Sequence, residues 1–130
     1  MKVRIISLLL IAIAAFVGIM GHGFLYQWDD QWVVINKYTD AGLDFGNLWA
    51  VMTEFHHGQY APFNEFSYIL IHEAFGYSPM AFHAASILWH AANTVLLFLF
   101  LQRLLKMIPE NRMAEHAADV AWVCCMLWAV

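Results

Sequence analysis

MAFHAASILWHAANTVLLFLFL, residues 80–101, decides how the rest of the chain is read. It holds no Asp, Glu, Lys or Arg, and it reaches the ~20 residues a helix needs to cross the hydrocarbon core of a bilayer. A Gly76-Tyr77-Ser78-Pro79 turn leads into it, and the basic residues Arg103, Lys106 and Arg112 follow it.

Upstream, Met1-Lys2-Val3-Arg4 carries two positive side chains, and Ile5 to Trp28 is again free of Asp, Glu, Lys and Arg. A first span is expected over about residues 5–25. The basic start, the Ile5 to Phe16 core and the small residues Gly18, Gly21 and Gly23 partly imitate a secretory signal peptide. The length of the apolar stretch and the spans that follow favour a retained helix. A third apolar run, 117–130, is shorter than a crossing requires, so the sequence reads as cut off within a helix. Both the amino terminus and the connection after residue 101 are basic, while the segment between the first two spans is acidic. By the positive-inside rule this places the amino terminus in the cytoplasm and the loop of about residues 26–79 outside. The expected fold is an all-α membrane protein whose transmembrane helices are joined by a long extracytoplasmic loop with short interfacial helices. The expected location is a bacterial inner membrane.

Composition points the same way. Hydrophobic residues make up 62% of the 130 and charged residues 12%, against roughly 45–50% and 25% in soluble domains. Six scattered Lys and Arg at a formal charge of -4 give no basic surface for a phosphate backbone, which excludes nucleic acid as a partner. Cys124 and Cys125 are sequence neighbours in an apolar run, so they close no loop and read as packing residues.

From Gly21 to Ser78 the chain turns polar and aromatic, with Asp29, Asp30, Asp40, Asp44, Glu54, Glu65 and Glu73 against Lys37 alone. Two short helices are predicted, Asn47 to Phe55 and Pro62 to Phe75. The second has Pro at a permitted first-turn position and an apolar face of Phe63, Phe66, Ile69, Leu70 and Phe75. Both are expected along the membrane surface. Trp28, Trp32, Tyr38, Trp49, Tyr60, Tyr68 and Tyr77 suit that level, because amphipathic rings settle where headgroups meet acyl chains.

Two groups of residues can carry chemistry. In Tyr26-Gln27-Trp28-Asp29-Asp30-Gln31-Trp32 two adjacent carboxylates stand where the first helix leaves the membrane. Partly desolvated acids that repel one another can gain raised pKa values and serve as a base or hold a cation. A solvated loop pair or a helix cap is the plainer reading of the same dipeptide. The second group, His83, Ser86, His90 and Asn93, falls within one helix face, which is expected to meet other helices or a wet cavity. His83 and His90 stand roughly 10 Å apart along the axis, too far to share one ion. His56-His57 and His72-Glu73 lack the spacing of a helical zinc-protease motif and read as surface groups.

Taken in order, Tyr26-Gln27-Trp28-Asp29-Asp30, Tyr60-Ala61-Pro62, Phe75-Gly76-Tyr77-Ser78-Pro79-Met80-Ala81-Phe82-His83 and His90-Ala91-Ala92-Asn93 resemble the amino-terminal part of a GT-C fold membrane glycosyltransferase. The likeness is to protein O-mannosyltransferases and the transmembrane proteins that often carry tetratricopeptide repeats, and it covers residues from about 20 to 105. Ala61 and Ser86 stand where such relatives often have Arg and Asn. The resemblance implies that Asp29 is the base for an acceptor hydroxyl and Asp30 its supporting partner. It further implies that Trp28, Tyr60, His83 and His90 contact substrate. The donor would be a sugar on a polyprenyl phosphate and the acceptor a protein or glycan. The departing phosphate would need a divalent cation or an Arg; no other cofactor is implied. That family has many more spans, so these residues are expected to be an amino-terminal piece, inactive alone. Two other classes remain open: a non-catalytic small membrane subunit, and a haem or redox protein in which His83 or His90 pairs with a histidine on another helix.

Overall fold

The computed structural model describes residues 1–108 and 114–130, and among them the chain is built of helices, with no strand and only a single-rung bridge between His56 and Gln59. The helices are α1 (Lys2–Phe16), α2 (Asp30–Val33), α3 (Lys37–Ala41), α4 (Phe45–Thr53), α5 (Pro62–Phe75), α6 (Pro79–Met107) and α7 (Ala117–Trp128). Short 3₁₀ segments, Val17–Gly21 and Ala114–His116, extend α1 and precede α7. Arg112, one of the basic residues expected after the second span, lies outside the described residues. The helices sort into two compact units: Met1–Met20 with Ala84–Val130, and Gly21–His83, which is inserted between those two stretches of sequence.

In the first unit α1, α6 and α7 pack side by side. Leu8 meets Phe98, Ala121 and Cys125, and Ala12 meets Ala91 and Ala129. Arg4 pairs with Asp119, and the Trp122 indole N–H donates to the Ser7 hydroxyl at 2.9 Å. These contacts rise through α1 and α7 together and descend along α6, so α1 and α7 are parallel and α6 is antiparallel to both. Alanines at the crossings let the backbones approach closely. Lys2–Gly21 and Pro79–Met107 are long and apolar enough to cross a membrane, and α7 is shorter. The first helical stretch stops at Gly21 rather than near residue 25: Gly18, Gly21 and Gly23 weaken the helix where the sequence stays apolar. The second continues past Leu101 to Met107, because Gln102 to Lys106 are good helix formers. Cys125 is fully buried as a packing residue, whereas Cys124 is exposed.

In the second unit, caps set the short helices. The Asn36 side-chain oxygen accepts from the backbone N–H groups of Tyr38 and Thr39 at the start of α3. Asp44 does the same for Gly46 and Asn47, so α4 begins two residues before the expected Asn47. Pro62 opens α5, as its spacing predicts. The apolar residues of α5 divide between interior and surface. Ile69 is buried and Phe66 partly so, but Phe63, Leu70 and Phe75 point outward, and Glu65 is buried in the stripe instead. The Asn36 amide donates to Glu65 Oε2 at 3.0 Å, and this partner makes a carboxylate acceptable there. The expected aromatic belt also divides: Trp28, Trp49 and Tyr60 are exposed, while Tyr38 is buried in the core with Val51 and Ile69.

Candidate functional site

The acidic pair sits in the second unit at the start of α2, on a segment pinned at several points. Nε2–H of His83 donates to the His22 carbonyl at 3.2 Å, and Phe24 packs edge-on to Phe82, ring centroids 5.5 Å apart. The Leu25 N–H donates to Asp30 Oδ2 at 2.8 Å, closing the loop on itself. Val34, just after α2, is buried with Phe24 and Phe82, and Tyr68 and Tyr77 flank the cluster. Residues 22–34 therefore take their shape from the first turn of α6 and from α5.

Within this arrangement the two carboxylates are not equivalent. Asp30 is half-buried and engaged with the Leu25 amide. Asp29 is exposed; its backbone carbonyl accepts from Trp32 and Val33, and its side chain makes no capping bond. Burial, then the charges of Glu65 and Asp30, raise the Tyr68 phenol above its ordinary pKa, so it stays protonated beside them.

The other expected residues are dispersed. The Trp28 ring is exposed next to Asp29 in sequence. The Tyr60 hydroxyl donates to the Met52 carbonyl at 2.8 Å and its ring lies against Phe55, which ties the 54–61 turn to α4. His83 holds the acidic segment through His22, as described. His90 belongs to the first unit: its ring meets Phe16 edge-on at 5.0 Å, and Nε2–H donates to the Ala129 carbonyl at the end of α7, 3.3 Å away. The expected stripe thus splits, its two histidines half-buried and bonded to carbonyls, Ser86 and Asn93 exposed.

Sequence reasoning missed a second polar cluster. Trp32, Val33, Tyr38, Val51, Glu54, His56 and Glu65 are among the residues lining a cleft of about 20 Å³, room for a single water rather than a sugar. Glu54 accepts from Lys37 Nζ at 2.8 Å and from the Tyr38 hydroxyl at 2.9 Å. These two bonds, Lys37 first, hold the Glu54 carboxyl below its ordinary pKa. His56, expected at the surface, is half-buried, with Nε2–H donating to the Trp32 carbonyl at 3.0 Å. The sign that was available is the capping pattern at Asn36; its link to Glu65, 29 residues on, has no local signature.

Among the described residues no three His, Cys, Asp or Glu side chains gather as a metal site. The acidic pair thus has no third protein ligand here with which to hold a divalent cation. Comparison with family models, curated proteins and solved structures gives no match.

Proposed function

We propose that this chain is the amino-terminal part of a polytopic GT-C type glycosyltransferase of a bacterial inner membrane, which moves a sugar from a polyprenyl phosphate to an acceptor hydroxyl. In this reading α1 and α6 cross the bilayer and α7 begins a further crossing. The amino terminus is cytoplasmic and residues 26–79 face outside. Support for lipid around α1 and α6 comes from their exposure: only 11% and 22% of the two apolar stretches is buried, unlike the core helix of a soluble protein. Packing of α1 on α6 and α7 supports its retention.

The observation that carries the catalytic assignment is the unequal engagement of the acidic pair. Asp30 is occupied in shaping the loop, which suits a positioning role, and Asp29 presents an unengaged carboxylate, which suits a base. The acceptor hydroxyl gives its proton to Asp29 as its oxygen attacks the anomeric carbon. The bond from that carbon to the phosphate oxygen breaks with inversion, and polyprenyl phosphate leaves with the electron pair. Trp28 offers a flat apolar face to the sugar, Tyr60 and His83 order the surrounding backbone, and His90 joins α7 to α6. In the full-length protein Asp29→Asn should lower transfer by about 10²–10⁴-fold while membrane insertion is retained. Undiminished transfer by that variant contradicts the assignment.

A further inference from the structure

The acidic pair stands at the head of α2, with Asp29 at the cap position of a helix only four residues long. A single turn fixes many dihedrals for few hydrogen bonds and does not hold by itself. Its end carbonyls need partners from elsewhere. The Val33 carbonyl accepts from the Asn36 side-chain amide at 2.8 Å, and the Trp32 carbonyl accepts from Nε2–H of His56 at 3.0 Å, 24 residues on. At the other end of the turn the Asp29 carbonyl accepts from the Trp32 and Val33 N–H groups. His56 therefore grips the same residue whose amide fixes the backbone of Asp29. The His56 ring is in turn seated against Tyr38, 5.3 Å between centroids, and Tyr38 is buried in the core of the unit.

A tight turn delivers this histidine. The His56 N–H donates to the Gln59 carbonyl at 2.9 Å and the Gln59 N–H to the His56 carbonyl at 2.8 Å. Between them His57 and Gly58 have φ of +46° and +76°. Left-handed backbone at both central positions is the geometry of a type I′ hairpin turn, which Asn-Gly suits best. Gly58 adopts it freely, whereas His57 is the one residue other than glycine with a positive φ among the described residues, and its Cβ is crowded there. A strained residue persists where its surroundings hold it. The His57 ring lies edge-on to the Trp32 ring, centroids 5.0 Å apart, and 4.4 Å from the His56 ring. Both imidazoles thus bear on one residue of α2, His56 on its backbone and His57 on its ring. A turn that only joined α4 to α5 would be better served by Asn in place of His57.

We propose that the His56–His57 turn is a clamp on α2, and that His56 is a positioning residue for Asp29 and Asp30. Its bearing on catalysis rests on the reading of Asp29 as the base. The test is amide hydrogen exchange of the full chain in micelles, referred to intrinsic rates, with His56→Ala, His56→Gln and His57→Asn. His56→Ala should lower the protection of the Trp32 and Val33 amides roughly 2- to 10-fold and leave that of Ile69 in α5 unchanged. His56→Gln, whose amide can donate to the same carbonyl, should recover most of it. His57→Asn relieves the turn, so the Gln59 amide should keep or gain protection while the Trp32 and Val33 amides lose theirs. Unchanged Trp32 and Val33 protection in His56→Ala overturns the clamp, as does a rise at Trp32 with His57→Asn or a loss shared equally by Ile69. In the full-length protein His56→Ala should lower kcat for sugar transfer by up to about 10²-fold with KM for the lipid-linked donor held. It should cost little more when Asp29 is already replaced by Asn. Full activity, or an undiminished effect in the Asp29→Asn background, overturns the positioning role. A wild type without transfer refutes the function proposed above, and the exchange result then decides the clamp on its own.

Discussion

The first unit buries Ala12, Ala91, Ala117, Ala121 and Ala129 around Leu8, Ile87 and Phe98, while Ile6, Leu10, Leu88, Leu96 and Leu127 face outward. The second unit buries a polar set, Asn36, Thr39 and Glu65, with Tyr38 and Val51, and holds its short helices by side-chain caps. Water drives large apolar side chains inward, and a lipid solvent removes that drive and leaves close packing as the source of helix association. In the membrane reading proposed above, the two units are built for different solvents, and one helix, α6, contributes residues to both.

The larger way to break this contrast is at Asn36, which caps α3 and satisfies Glu65. Asn36→Ala removes the cap and leaves a buried carboxylate without its partner, a loss of about 1–3 kcal/mol. Hydrogen exchange should show the amides of α3 and α5 losing protection, about tenfold for each 1.4 kcal/mol, while those of α1 keep theirs. Equal loss in both units would mean that they do not unfold separately.

A smaller effect sharpens the comparison through pH. Because the folded pKa of Glu54 is lowered from 4.5, chiefly by Lys37, its contribution is present above that value and lost as pH falls through the folded one. The pKa of Lys37 is raised from 10.5, chiefly by Glu54, so its contribution is present below that value and lost as pH rises through the folded one. Both groups are exposed, so the effect is slight. The protection of the Tyr38 amide, relative to its intrinsic exchange rate at each pH, should fall modestly below pH 4.5, and Lys37→Ala should abolish most of that change. A response that survives Lys37→Ala places its origin elsewhere.

What the sequence made legible is what depends on local pattern. Residues 80–101 announce a long apolar helix by length alone, and Pro62 announces the start of α5. The burial of Glu65 has no local signature, because it depends on Asn36, a partner set by the fold. The start of α4 slipped because Asp44 caps across Phe45 and Gly46 before the helical pattern becomes visible. Asp29 and Asp30 stand out in the sequence by their position just after the first apolar stretch. The unequal engagement of Asp29 and Asp30 depends on the Leu25 amide, which only the folded loop brings to one of them.

The most direct test of the two-solvent account is cysteine labelling in intact cells with a membrane-impermeant maleimide, in a chain carrying Cys124→Ala and Cys125→Ala. Asn64 in α5 and Glu115 before α7 are both exposed. The account predicts that Asn64→Cys is labelled from outside and that Glu115→Cys is labelled only after the membrane is permeabilised. Labelling of Asn64→Cys only after permeabilisation would put the second unit, and the acidic pair with it, on the wrong side of the membrane.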